Sequence, residues 1–87
     1  MPRIDVDPEK LKQLSKEIKS GAEQCEQIAR QLQRSLDRSD WHDNERQKFE
    51  ERLKESLRAL RRISESFRSE FPAELQRKVA ALEQFRS

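Results

Sequence analysis

The sequence predicts an all-α chain: an antiparallel helical hairpin that dimerises into a four-helix bundle, with a short C-terminal helix after Pro72. Three observations predict it. Apolar residues recur at steps of three and four over two stretches of about 30 residues. A run rich in capping residues, DRSDWHDN, separates the stretches. The chain has one glycine and three prolines in 87 residues, so breaks are few and placed.

The opening MPRIDVD reads as extended, with Ile4 and Val6 alternating with Arg3, Asp5 and Asp7. Asp7 caps the first helix, residues 8–37, with Pro8 at its first position and Glu9 in its first turn. Its apolar positions are Leu11, Leu14, Ile18, Ala22, Cys25, Ile28, Leu32 and Leu36. Leu11, Ile18, Cys25 and Leu32 repeat every seven residues, a coiled-coil row. Gly21 sits beside this row; a mid-helix glycine costs about 1 kcal/mol against alanine. It marks either close approach of a partner backbone or a tolerated surface position.

The turn, residues 38–42, and the position after it offer Ser39, Asp40 and Asp43 as caps for the second helix. That helix, 43–71, carries Phe49, Leu53, Leu57, Leu60, Ile63, Phe67 and Phe71. Ser56 and Ser64 beside this stripe let a neighbouring helix come close. Glu26–Arg30 and Glu50–Lys54 are supportive pairs four residues apart. Pro72 lacks a backbone donor and disfavours helix at Phe71, so a kink or short break is expected there. A last helix, 73–85, comes after it, with Leu75, Val79 and Leu82 apolar. The two arms match in length, so the last helix overhangs the start of the first, where Ile4 and Val6 are expected to cover Leu75 and Val79.

Only 32% of the residues are hydrophobic and 41% are charged. So small a chain needs a disulfide, a metal or a partner to complete its core. One cysteine excludes an internal disulfide, and one histidine far from it argues against structural zinc. A second chain remains. The stripes are also wider than one hairpin can bury. Ala22, Ala29 and Leu36 flank the first seam, and Leu57 and Phe71 the second. Open rows of this kind mark an interface, and two paired hairpins form a symmetric four-helix bundle. The expected core and dimer seam is Leu11, Leu14, Ile18, Cys25, Ile28, Leu32, Leu53, Leu57, Leu60, Ile63, Phe67 and Phe71.

Chemistry has no foothold in the sequence, and no enzyme, cofactor, metal or small-molecule substrate is expected. His42 lies in the turn, Cys25 on the apolar row, and adjacent Glu50 and Glu51 point in different directions. The 19 basic and 17 acidic residues leave a net charge of +2, spread evenly along the chain. Arg58, Arg61 and Arg62 come nearest to a nucleic-acid patch, and a coiled-coil nucleic-acid-associated protein is the alternative reading. No stretch could span a membrane, and Met1–Lys10 has no signal-peptide core, so the expected place is the cytoplasm, or outside by a route that reads no cleavable signal. Trp41, the single tryptophan, is expected to plug the hairpin end against Leu36 or Phe49, with a recognition knob for a partner as the other reading.

Trp41-His42-Asp43 followed by Phe49, set between two helices of matched length, resembles the turn of the WXG100 or ESAT-6-like family. The opening IDVDPEKLKQLSKEI is similar to the start of many members. The resemblance implies a helical hairpin that pairs with itself or a related hairpin, and a role as a substrate or adaptor in type VII secretion. Asp43 stands where the family has glycine, and without any tyrosine the family's C-terminal Tyr-x-x-x-Asp/Glu export signal is absent. The resemblance therefore points to a divergent homodimeric branch with a Trp-x-Asp turn.

Overall fold

A computed structural model describes residues 6–86. Helix α1 spans Pro8–Arg38 and helix α2 spans Asn44–Glu65. A π-helical turn, Ser66–Glu70, joins α2 directly to α3, Phe71–Arg86. The 22, 5 and 16 residues of α2, the π turn and α3 make one rod. At about 1.5 Å per residue it accounts for the 65 Å long axis of a molecule 18 and 17 Å across. The 31 residues of α1 lie antiparallel along it, packed on both α2 and α3. The chain is a helical hairpin with unequal arms.

The helix starts follow from local chemistry. Asp7 Oδ1 accepts from the Glu9 amide at 3.0 Å, with Pro8 in the first turn. Asp43, not Asp40, caps α2. Ser39 ends α1 by donating its hydroxyl to the Leu36 carbonyl at 2.6 Å. Asp40 then turns the chain in the left-handed region, φ 59°.

Of the kink or short break expected at Pro72, the break is absent: the backbone stays helical through a π turn just before it. The Phe71 amide donates to the Ser66 carbonyl, five residues back, and Ser69 Oγ donates to the Glu65 carbonyl at 3.0 Å. Pro72 has no N–H to give to the preceding turn, and widening that turn relieves the clash of its ring with it. The wide turn also absorbs one residue of register. The buried row of the long arm runs Leu57, Ser64, Pro72, Val79, with steps of seven, eight and seven. The step of eight spans the π turn, so α3 continues the same face.

Within one hairpin, the seam between the arms follows the row that the sequence placed beside the expected core and dimer seam. It is built from Ala22, Ala29 and Leu36, each at most 6% exposed, with Leu57, Ser64 and Val79 opposite. Of the twelve expected seam residues only Leu57 is buried. Leu11, Ile18, Cys25, Leu53, Leu60 and Phe67 are half-buried, and Leu14, Ile28, Leu32, Ile63 and Phe71 are exposed. The reason is steric. Alanine and serine let the helix backbones approach, and Ser64 Oγ donates to the Ala22 carbonyl at 3.0 Å, a bond that rows of leucine would hold apart. Gly21 meets the Phe67 ring, where an added Cβ would lie 3.5 Å away in ordinary contact. At the open end Val79 is buried and Leu75 half-buried, while Val6 stays 38% exposed; Ile4 lies outside the described residues.

Candidate functional site

Two places concentrate what the sequence singled out: the Trp41 turn and one long side of the hairpin. At the turn a single carboxylate oxygen does three jobs. Asp43 Oδ1 accepts from Trp41 Nε1 at 2.7 Å, from the Glu45 amide at 3.0 Å and from the Arg46 amide at 3.2 Å. The helix cap and the indole are thereby fixed to each other. The indole leans on Phe49, ring centroids 5.4 Å apart and planes tilted by 41°. Arg46 ties the arms together, donating to the Trp41 carbonyl at 3.1 Å and to Asp37 at 3.3 Å. Gln33 bridges Asp37 and Glu50 at 3.4 Å each. His42 faces Asp40, Nε2 to Oδ1 at 3.0 Å, with both side chains in solvent. Trp41 is half-buried, with its polar edge satisfied within the turn.

The long sides differ sharply. At about 100° per residue, Glu26 and Gln33 lie to one side of the Ala22 seam, and Gly21, Ile18 and Cys25 to the other. The same count from Ser64 puts Arg68 and Glu50 on the first side, Leu60, Ile63 and Phe67 on the second. The contacts agree. Glu26 meets Arg68 at 3.0 Å on the first side, and Gly21 meets Phe67 on the second. The first side is closed by ion pairs: Glu26–Arg68, Asp37–Arg46 at 3.3 Å and, farther out, Lys12–Glu83 at 3.5 Å. Hydrogen bonding to Glu9 and the charge of Glu83 raise the Lys12 ammonium above its ordinary 10.5. Hydrogen bonding and charge from Glu26 likewise favour the charged form of Arg68.

Among the described residues no ion pair of this kind closes the second side. Leu14, Ile28, Leu32, Phe49, Ile63 and Phe71 line it, each between 38% and 47% exposed. Leu11, Ile18, Cys25, Leu53, Leu60 and Phe67 are half-buried along the seam edge of this side. The result is one apolar face running nearly the length of the shorter arm. Monomeric proteins rarely expose contiguous apolar strips of this kind.

The arginines of the alternative reading are not gathered further by the fold. Arg58, Arg61 and Arg62 are exposed on α2, with Glu51, Glu55 and Glu65 among them. A separate surface groove on α1 holds Arg30, Arg34 and Arg38 with Gln27, Gln31 and Ser35. Sequence reading missed this acid-free stripe, although residues 27–36 contain no Asp or Glu. Among the described residues no group of three or more His, Cys, Asp or Glu could hold a metal ion, and no helix is long and apolar enough to cross a membrane.

The fold and its open face define a class: an amphipathic helical hairpin with one ion-paired side and one apolar side. Compared with known proteins, the chain matches no family model, no curated protein and no solved structure.

Proposed function

We propose that the chain is a non-enzymatic interaction protein that binds a second copy of itself through the apolar face, forming a four-helix bundle and working as an adaptor of the WXG100-like kind. The observation that carries this reading is the asymmetry of the two sides. Side chains as large as Phe71 and Ile63 stay open on one side, while ion pairs and hydrogen bonds close the other. A second hairpin would bury those six side chains and supply the core that so small a chain lacks. The Trp41 turn supports the same reading. Its indole N–H and the first amides of α2 are satisfied by Asp43 within the turn, as suits the closed end of a bundle. Secretion belongs to the family resemblance alone.

Sedimentation equilibrium of the full chain tests the first step. The expected mass is twice 10.4 kDa at micromolar concentration, with helicity that falls on dilution as pairs separate. A fully helical species of single-chain mass across that range would remove the reading. The arginine groove on α1 gives the nucleic-acid alternative its one specific support. Steep loss of affinity for a DNA duplex as salt rises would favour it.

A further inference from the structure

We infer that the arginine groove on the outer face of α1 holds the phosphate backbone of a nucleic-acid duplex, by charge and hydrogen bonds and without reading its bases. The inference rests on the nucleic-acid alternative above and supplies its residues; the pairing of hairpins does not enter it. At about 100° per residue, Gln27, Gln31, Arg34 and Arg38 fall within about 40° of the direction opposite Ala29, the middle of the seam. This is the side of α1 that faces away from the long arm. The open apolar row of α1, Ile28 and Leu32, turns off from it by about 80° or more. A duplex on the groove therefore leaves the apolar face clear for a second copy, and both readings fit one molecule.

The fold sorts the charges of this half of α1. From Gly21 to Arg38 the acids are Glu23, Glu26 and Asp37, and arginines of the long arm answer them. Glu26 meets Arg68 at 3.0 Å and Asp37 meets Arg46 at 3.3 Å. A hydrogen bond and the charge of Glu26 favour the charged form of Arg68, and the charge of Glu23 adds to them. The arginines of α1 are left over. Arg30 reaches Glu26 only at 3.9 Å, and Arg68 already holds that carboxylate more closely. Among the described residues Arg34 and Arg38 have no acidic partner. They are exposed, as are Gln27, Gln31 and Ser35 between them. The arginines of α2 lack this separation, with Glu51, Glu55 and Glu65 among them.

The residue types select the ligand. Every side chain lining the groove can donate a hydrogen bond, and arginine offers a planar fork suited to two phosphate oxygens. Arg30, Arg34 and Arg38 follow at four-residue steps, about 6 Å each along the axis. Phosphates follow one another along a strand at a similar spacing. A straight row of fixed period fits an anion of fixed period, which a duplex backbone is and a folded acidic surface is not. None of the six lining residues is aromatic, so a single strand finds no platform on which to stack its bases. None is apolar either, whereas a helix lying on lipid buries apolar side chains where it touches.

Fluorescence anisotropy of a labelled DNA duplex, in two unrelated sequences, measures binding of the full chain across a range of salt. Both sequences are expected to bind alike, with log affinity falling against log salt at a slope of about −2 to −3, for three phosphate contacts. Arg34→Gln with Arg38→Gln is expected to bring the slope to about −1 and to weaken binding about tenfold or more at low salt. Both positions are exposed and glutamine is a good helix former, so circular dichroism should show unchanged helicity. Arg58→Gln with Arg61→Gln removes the same charge from α2 and is expected to change affinity by no more than about twofold. If the α2 pair costs as much as the α1 pair, the groove is not the site, and the nucleic-acid reading stands without it. A parent chain with no salt-dependent binding to the duplex removes both. Polyglutamate, or vesicles of phosphatidylglycerol and phosphatidylcholine, held as tightly as the duplex through Arg34 and Arg38, would overturn the choice of partner.

Discussion

At the scale of single residues, the turn depends on Asp43 more than on Trp41. Its Oδ1 holds two backbone amides of α2 and the indole N–H together. Replacing a capping carboxylate by alanine typically costs about 1–2 kcal/mol. Asp43→Ala is expected to lose that much in urea denaturation and to shift Trp41 fluorescence, since the indole loses its acceptor. Asp43→Asn keeps an oxygen in place and is expected to stay close to the parent. An alanine variant as stable as the parent would show that the cap is not what orders the turn. The residues that mark this turn were legible in sequence, because a Trp among capping residues between two periodic stretches is rare in so polar a chain. Which of Ser39, Asp40 and Asp43 caps was not. That depends on Asp40 entering the left-handed region, a backbone choice with no sequence signature beyond the tolerance of Asp for it.

At the scale of elements, the fold was readable as far as the hairpin and its helical content, and misread at two joints. Pro72 signals a helix break by its chemistry, yet the rod passes through it. The π turn explains both the proline and the step of eight in the buried row, and only the second would have announced it from sequence. The choice of seam was hidden for a related reason. Hydrophobicity favours the Leu11–Ile18–Cys25–Leu32 row, whereas backbone approach favours the Ala22–Ala29–Leu36 row beside it, and approach won because Ser64 can bond across it. A deletion tests the π turn. Removing Ser69 should restore regular helix without rotating α3, but it leaves Pro72 in an ordinary helical turn, at a cost of about 3 kcal/mol. Combining the deletion with Pro72→Ala should recover most of that loss in thermal melts. A deletion variant as stable as the parent would show that the wide turn does not serve the proline.

At the scale of the whole molecule, the two sides make different demands on stability and association. Val79 lies 1% exposed within the hairpin itself, whereas Ile63 is 46% exposed on the open face. An aspartate at each position separates folding from pairing. Val79→Asp places an unpaired carboxylate inside the seam between α3 and α1, which should cost roughly 3 kcal/mol or more and lower helicity at any concentration. Ile63→Asp leaves the charge in water within one hairpin. It strands the charge only when a second copy covers it, so the loss should fall on association. The expected result is a helical chain of single-chain mass at concentrations where the parent is paired, with a melting temperature that no longer depends on concentration. If Ile63→Asp and the parent associate equally, the apolar side is not the surface through which copies meet.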